Sequence, residues 1–446
     1  MSPVVSFSVS ETLSYEKWKV LNELAVRKKI GLWPTTSLVL GNMIGSGIFL
    51  LPAALAPYGG ISLLGWILAA LGALVVARVF AELSRRFPQT GGPYTFAKQG
   101  FGEFPAFLVA WGYWISICCT NAAITVTLLS YLSVFFPALK VNPTVAVLTG
   151  LGIVWLLTLI NSRSIKNAAF VQLVTTILKL IPLILIAIVG LFFIQIEHFQ
   201  PLNLSAETDF KAITITTTLT LFAFLGIEAA TIPANHIQQA EKTIPKATTI
   251  AVWVAILVYI LGSIAVMGII PPETLAISDA PFADAAVSIW GESARNWVAL
   301  GIVISTFGAL NGWIMMQGQI PLAASRDQLF PANFKKINRE GIPVYGLVFS
   351  SIIVSALILM NYSKSLIKAF EFMILLATVC SLVSYLFSTA THLLFSLRSG
   401  KRWSWVWGTV AFIFSLWAII GSGEDTVFYG FIMLMMGIPV YVWLKR

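Results

Sequence analysis

Charged side chains are scarce in this chain, since Asp, Glu, Lys and Arg make up only 11% of its 446 residues. Soluble domains carry about 25% charged residues, so the composition excludes an ordinary soluble protein. The hydrophobic fraction is 58%, which indicates an integral membrane protein. The formal charge of +9 does not indicate a nucleic-acid partner, because the basic residues are scattered between apolar runs rather than clustered.

Cysteine is rare too, and recognisable enzyme motifs are missing. Cys118, Cys119 and Cys380 all lie inside apolar runs, which argues against a disulfide framework and predicts buried packing residues. The sequence has no phosphate-cradling glycine loop, no His/Cys cluster with metal-ligand spacing and no GxSxG elbow. We therefore predict that the protein is not an enzyme and uses no cofactor or metal ion.

Apolar runs of about 20 residues, the length that spans a bilayer as a helix, occur twelve times. Their approximate limits are 32–56, 61–84, 103–136, 143–161, 165–195, 211–234, 247–270, 295–324, 342–360, 366–396, 403–421 and 426–444. This pattern predicts an all-α membrane protein with twelve transmembrane helices. No signal peptide is visible, so residues 1–30 are interpreted as a cytoplasmic tail.

The loops between these runs alternate in charge. With the N-terminus inside, 21 of the 28 Lys and Arg residues fall on the inner side of the membrane, and five fall on the outer side. Because cytoplasmic loops are enriched in Lys and Arg, this asymmetry predicts that both termini are cytoplasmic.

The first apolar run carries GNMIGSGIFLLP, from Gly41 to Pro52. Glycine costs about 1 kcal/mol relative to alanine in a helix, and lipid offers no water to the loosened backbone. A helix that breaks at Gly45, Ser46 and Gly47 is therefore expected to line a substrate site, as in transporters. The alternative is that these small residues only let a second helix pack closely.

A second interrupted segment supports the substrate site. The run TLFAFLGIEAATIP, from Thr220 to Pro233, also has a glycine, a glutamate and a proline at mid-segment. Two interrupted segments five spans apart have opposite orientation, which is typical of an inverted repeat with its site between the halves. We therefore divide the chain into the tail (1–30), a first five-helix repeat (31–200), an inverted second repeat (201–400) and two additional helices (401–446).

Two ionisable side chains fall at bilayer depth, where a charge is costly and usually functional. Glu228 is predicted to face a water-filled path and exchange protons with it, or else to form a structural hydrogen bond with a neighbouring helix. Lys179 is predicted to titrate or to replace a bound cation, or else to be a structural or snorkelling lysine. The four-residue spacing of Arg78 and Glu82 predicts an ion pair within one helix, which is either structural or part of an inner gate. Near the segment ends, His392 and Glu371 are expected to be exposed.

Aromatic and amide side chains supply further candidates. Trp313, in the LNGW sequence of the eighth run, and Phe222 could close over a substrate or stack on a cationic one, or could simply pack. Tyr113, Ser116 and Asn121 place polar groups in the third run, where Asn121 could bind substrate or a neighbouring helix.

The motifs GNMIGSGIFLLP, LFAFLGIE, LNGW and RDQLFP resemble the amino acid–polyamine–organocation superfamily, and most of all its arginine/agmatine and basic amino acid/polyamine antiporters. The likeness runs from about Gly31 to the C-terminus. It implies a LeuT-like fold of five plus five inverted helices and two more, with helices 1 and 6 broken. It also implies a bacterial inner-membrane location and, often, a homodimer.

The resemblance further implies residue roles, as follows: carboxylate binding by Gly45, Ser46 and Gly47; ammonium binding by carbonyls near Ile44, Phe222 and Leu225; contact with the substrate side chain by Ser116 and Asn121; an aromatic gate at Phe222; a stacking ring at Trp313; coupling and gating at Glu228, Lys179 and Tyr113. Phe222 and Ile117 depart from the tryptophan and cysteine of arginine antiporters. Lys179 looks like the lysine that replaces sodium in other members.

These observations predict a sodium-independent antiporter of a cationic amino acid, its amine product or both, working by alternating access. A proton-coupled or facilitative permease for neutral amino acids is the alternative, and a channel or non-transporting scaffold is the alternative of another class. The expected partners are a small amino acid or amine, membrane lipid and a second copy of the chain, with no nucleic acid.

Overall fold

The computed structural model describes residues 29–163, 180–361, 364–398 and 402–446. These residues form helices joined by short loops, and an isolated parallel β-bridge joins Ile30 to Ile237. The protein is therefore helical throughout the described ranges. Lys179 lies outside them, so its predicted role stays a prediction.

The helices are numbered along the chain. They are α1 Leu32–Met43, α2 Gly47–Leu55, α3 Ser62–Arg86, α4 Pro93–Phe101, α5 Glu103–Leu132, α6 Pro143–Arg163, α7 Leu180–Phe193, α8 Asp209–Leu221, α9 Ala240–Ile269, α10 Pro281–Trp290, α11 Glu292–Arg326, α12 Val344–Met360, α13 Leu366–Arg398, α14 Arg402–Ile420, α15 Glu424–Met435 and α16 Gly437–Leu444. Single helical turns at Ala138–Val141 and Pro272–Leu275 lie in loops.

Eight helical stretches of the described chain are long and apolar enough to cross a membrane, and one of them runs from Leu32 to Arg86 through α1, α2 and α3. Three shorter apolar helices, Leu180–Phe193, Val344–Met360 and Ser404–Ile420, accompany them. The chain is therefore a multi-pass membrane protein.

Helix α5 lies at the centre of the molecule and packs against α11 and α13. Nearly every residue from Ala106 to Tyr131 is buried, although the helix carries several hydroxyl groups. Cys118 and Cys119 of α5 and Cys380 of α13 are buried free thiols, which confirms that they are packing residues.

The helical hydrogen bonding stops in the first apolar run. Helix α1 ends at Met43 and α2 begins at Gly47, with bends at the three residues between. The backbone N–H of Ile44 still donates to Leu40 O at 2.8 Å, but Gly45 N–H donates only two residues back, to Met43 O. The chain thus changes direction at the glycine-rich stretch.

A second interruption follows Leu221, where α8 ends. Phe222–Phe224 form a 3-10 turn, Leu225 is extended, and Gly226 has a φ of +103°. Residues with a Cβ rarely adopt that conformation, so glycine is required for the turn. Short 3-10 turns follow, and regular helix resumes at Ala240.

Helix α3 crosses α8 at a glycine, and Gly65→Ala is expected to destabilise the protein. A Cβ on Gly65 would lie 2.8 Å from the backbone carbonyl carbon of Thr216, closer than packed atoms tolerate. Overpacking of this kind costs about 1–3 kcal/mol, more than the ~1 kcal/mol that alanine gains in helix propensity. Thermal unfolding in detergent measures the change.

The matched control is Gly152→Ala in α6, where a Cβ would meet nothing within 4 Å. This variant keeps only the propensity gain and is expected to unfold at the same or a higher temperature. Equal behaviour of the two variants would contradict close packing of α3 on α8.

Candidate functional site

The two interruptions pack against each other and enclose a small cavity. A Cβ on Gly47 would lie 3.2 Å from Phe222 Cδ1, and a Cβ on Gly226 would lie 3.2 Å from Asn42 Cβ. The cavity has a volume of about 10 Å³, so it must widen to admit a substrate. It is lined by Asn42, Met43, Gly45, Ser46, Gly47, Thr120, Ile124, Phe222, Leu225 and Trp313.

Three polar side-chain groups on this lining are buried and make no hydrogen bond within the described residues. They are Asn42 Nδ2, Ser46 Oγ and Thr120 Oγ1. An unsatisfied buried donor or acceptor costs about 1–3 kcal/mol, so buried polar groups normally have partners. Their convergence on one cavity provides hydrogen-bonding groups for a polar ligand.

Trp313 forms the aromatic side of the cavity. Its indole N–H donates to the carbonyl oxygen of Asn42 at 3.3 Å, which ties the middle of α11 to the end of α1. Phe222 lies across the cavity from the α1 break and also meets Phe370 of α13 edge to face. The cavity therefore combines aromatic walls with backbone that has left the helix, an arrangement suited to an amphipathic ligand.

Six of the nine predicted substrate-binding residues line the cavity, namely Gly45, Ser46, Gly47, Phe222, Leu225 and Trp313. The other three lie elsewhere. Ile44 is in the same break but is not part of the lining, and Ser116 bonds to Ser381 Oγ at 2.6 Å and to Ala377 O.

Asn121 faces α11 instead of the cavity. Its Nδ2 donates to Gln317 Oε1 at 2.7 Å, and Gln317 Nε2 donates onward to Ser351 Oγ. Adjacent helical residues point about 100° apart, so Thr120 takes the cavity position on α5. The apolar run around Thr120 gave no signal for choosing it, because the choice depends on how α5 is rotated.

Glu228 lies just beyond the cavity in a buried polar cluster. The hydroxyl of Tyr385 in α13 donates to Glu228 Oε2 at 2.7 Å. Tyr113 of α5 lies beside the same carboxyl group, so the structure brings together two of the three predicted coupling residues. Sequence patterns missed Tyr385, because it lies in an ordinary apolar run more than 150 residues from Glu228.

The ion pair predicted on α3 forms, with Arg78 Nε 3.4 Å from Glu82 Oε1. The prediction for His392 was wrong, because His392 is buried and its Nε2 lies 2.8 Å from Glu82 Oε2. Ser404 of α14 also donates to that oxygen. Packing of α14 over α13 covers the histidine, which its position near a segment end could not reveal. Glu371 is half-buried.

The fold is LeuT-like. A solved structure of a Na⁺-coupled sialic acid symporter, in a substrate-bound outward-open state, superposes with a TM-score of 0.56 over 89% of both chains. Sequence identity to that symporter is 12%, so this likeness shows the fold alone. Together with the eight helical stretches that are long enough to cross a membrane, the fold defines the class as a multi-pass membrane protein of LeuT-like architecture.

The sequence places the chain within that class. A family model described as amino acid permease matches residues 30–441, so the chain belongs to the amino acid permease family. The cadaverine/lysine antiporter of Escherichia coli K12 is 36% identical over 340 residues, which is 75% of each chain. The putrescine transporter PotE of Haemophilus influenzae is 30% identical over 94% of this chain and 97% of its own. These matches confirm the family resemblance.

Proposed function

We propose that the protein is an alternating-access antiporter that exchanges a cationic amino acid for an amine product. The observation that carries this proposal is the cavity between the two interruptions, with its three unpartnered polar groups and aromatic walls. The names of the relatives, which pair lysine with cadaverine or specify putrescine, supply the substrate class. The binding chemistry needed is that of a molecule with an ammonium group and an apolar stem.

We assign roles in the cavity according to backbone polarity. The stretch Gly45, Ser46 and Gly47 leads into the N-terminus of α2, whose backbone N–H groups and positive dipole end suit the substrate carboxylate. Carbonyl groups near Ile44, Phe222 and Leu225 suit the ammonium, since they carry the opposite partial charge. An amine without a carboxylate would use only the second set.

We assign the substrate side chain to the aromatic and α5 walls. Trp313 supplies a face for a cationic group, and Phe222 closes the cavity as the gate. Asn121 Oδ1 is buried without a hydrogen-bond partner among the described residues, so it suits a donor on the substrate once the cavity widens toward α5. Ser116, which now bonds to Ala377 O and Ser381 Oγ of α13, is proposed as the second side-chain contact from α5.

The topology proposed is twelve transmembrane helices in the inner membrane of a bacterium, with both termini cytoplasmic. Dividing Leu32–Arg86 between α2 and α3, and adding the three shorter apolar helices to the eight long stretches, gives this count. We keep the division into a tail (1–30), two inverted five-helix repeats (31–200 and 201–400) and two extra helices (401–446). A homodimer in lipid, with no catalytic activity, completes the proposal.

Sodium independence is proposed from Lys179, whose charge would take the place of a bound cation. Exchange in sodium-free choline buffer is expected to equal exchange in sodium buffer. Lys179→Ala is expected to lose transport or to change its dependence on pH. If Lys179→Ala transports as well as wild type at every pH tested, Lys179 does not take the place of a bound cation.

A permease for neutral amino acids is the second candidate, and one observation favours it. No charged side chain lines the described cavity, so a cationic side chain would be held by aromatic faces, amides and carbonyls alone. Competition separates the candidates. Neutral amino acids that displace lysine at equal concentration would favour the second one.

The test is exchange in proteoliposomes that contain the purified full-length chain. Radiolabelled lysine is added outside, with lysine, cadaverine, putrescine, alanine or no substrate inside. Saturable uptake that requires internal lysine or a diamine is expected. Uptake without internal substrate would indicate uniport, unsaturable flux would indicate a channel, and no flux for any substrate would indicate a scaffold.

Thr120→Val is expected to weaken substrate binding about fivefold to tenfold without destabilising the protein. The Thr120 hydroxyl makes no hydrogen bond to any described residue, so removing it leaves no other protein group unpaired. A hydrogen bond to bound substrate is worth about 1–1.5 kcal/mol, which corresponds to that loss of affinity. Binding of labelled substrate in detergent measures it.

The matched control is Thr127→Val, two turns further along α5. Thr127 Oγ1 donates to Ala123 O of its own helix and does not line the cavity. Its substrate affinity is expected to equal that of wild type. A similar loss of affinity in both variants would argue that helix distortion, rather than contact with substrate, is responsible.

A further inference from the structure

A wide groove opens on the outer surface of the bundle, away from the candidate substrate site. It lies between the second half of α3, the first turns of α9 and the start of α14, and its volume is about 620 Å³. Its two ends differ in character. One end is cationic and lies where α3 ends and α9 begins; the other end is apolar and lies deeper along both helices.

The cationic end presents Arg85 and Lys246, and a third basic side chain, Arg78, lies about 10 Å deeper along α3. Arg78 pairs with Glu82 and has its guanidinium 4.8 Å above the ring of Trp407. Arg85 and Lys246 are exposed and make no ion pair with any residue that the structure describes. Two positive charges on the groove are therefore left uncompensated.

Glu82 does not neutralise these two charges. One of its carboxylate oxygens accepts from Ser404 Oγ and lies 2.8 Å from His392 Nε2, and the other faces Arg78. The carboxylate is thus occupied by groups on its own side of the groove. An anion placed between Arg85 and Lys246 would meet a net positive site.

The apolar end is formed by Leu74 and Val75 of α3 with Ile250 and Trp253 of α9. Trp253 is 57% exposed. At 1.5 Å per residue, Leu74 lies about 16 Å along α3 from Arg85, and Trp253 about 10 Å along α9 from Lys246. The groove is therefore basic at its membrane-surface end and apolar at acyl-chain depth.

We propose that this groove binds an anionic phospholipid, with its phosphate between Arg85 and Lys246 and its acyl chains along Leu74 and Trp253. Basic pockets between transmembrane helices on the cytoplasmic side are suited to acidic head groups. A free phosphate would use the cations but not the apolar wall. The continuous change from charge to hydrocarbon therefore selects a lipid over a soluble anion.

The test uses the purified full-length protein in neutral detergent, titrated with phosphatidylglycerol brominated in its acyl chains. Bromine quenches nearby tryptophan, and Trp253→Phe identifies the share of quenching that comes from the groove. Arg85→Gln/Lys246→Gln is expected to raise the half-quenching concentration about 30-fold, as ~1 kcal/mol for each basic residue implies. Brominated phosphatidylcholine is expected to quench Trp253 only at concentrations as high as those the double variant needs.

Two further variants control for charge and folding. Lys335→Gln/Lys336→Gln removes the same charge from exposed residues outside the groove and is expected to bind like wild type. Arg85→Lys/Lys246→Arg keeps the charge and is expected to restore tight binding. Unchanged quenching in the Gln double variant, or equal affinity for both lipids, would overturn the proposal.

The same titration separates the other occupants. Displacement of brominated phosphatidylglycerol by 10 mM inorganic phosphate would indicate a free-anion site and would overturn the lipid assignment. Light scattering on the same sample gives the oligomeric state. A dimer whose groove excludes the quencher would show that a second copy covers it, which would also overturn the proposal.

Discussion

Replacing Gly226 with alanine is expected to lower substrate binding and transport about 100-fold. Gly226 has a φ of +103°, and a left-handed conformation costs a residue with a Cβ about 1–2 kcal/mol. The added Cβ would also lie 3.2 Å from Asn42 Cβ and 3.4 Å from Met43 N, which adds overpacking of about 1–3 kcal/mol. Both penalties act where the interrupted segments meet, so they disfavour the conformation that forms the cavity.

Gly423→Ala is the matched control for this prediction. Gly423 has a φ of +82° in the loop before α15, where a Cβ would meet nothing within 4 Å. This variant carries the left-handed strain of about 1–2 kcal/mol without the contact to α1, so it is expected to unfold earlier but to bind substrate normally. Labelled-substrate binding and thermal unfolding, measured on the same samples, test both variants. Equal binding losses would show that strain alone accounts for the effect.

Replacing Glu228 is expected to have the second large effect. Comparing leucine with glutamine at this position separates an effect on folding stability from an effect on transport. Glu228→Leu leaves the buried hydroxyl of Tyr385 without its 2.7 Å acceptor, which costs about 1–3 kcal/mol of folding free energy. Glu228→Gln keeps an oxygen for that hydroxyl, so its thermal unfolding is expected to match wild type. The Gln variant cannot take up or release a proton, so its rate of substrate exchange is expected to fall at least about tenfold, which corresponds to about 1.4 kcal/mol.

Exchange measured from acidic to neutral pH in proteoliposomes completes the test. A coupling role predicts that the Gln variant loses the dependence on pH that the wild type shows. Tyr385→Phe provides the control, because it removes the donor but leaves the carboxyl group in place. A Gln variant with wild-type rate and pH profile would leave Glu228 with a structural role only.

Local composition was informative where the backbone itself carries the signal. The glycine-rich run and the segment around Gly226 were chosen because glycine is costly in a helix, and these segments enclose the cavity. The ion pair of Arg78 with Glu82 was predictable because residues four apart on a helix are neighbours. Burial of the three cysteines followed from their apolar surroundings.

Side-chain direction was not predictable in the same way. The sequence left Asn121 to bind either substrate or a neighbouring helix, and in the structure it bonds to Gln317 of α11 while Thr120 faces the cavity. His392 was expected to be exposed, yet α14 covers it. Both outcomes depend on helix rotation and on contacts between residues far apart in the chain.

By itself, the sequence determined that the chain is a membrane protein of the amino acid permease family and which stretches of backbone surround its cavity. These properties depend on composition, charge asymmetry and local motifs. Only the tertiary structure decided that Tyr385 completes the Glu228 cluster, that Thr120 reaches the cavity, and that Arg85 and Lys246 share a groove. In each case the partners lie on different helices, and their distance depends on how those helices pack rather than on their spacing along the chain.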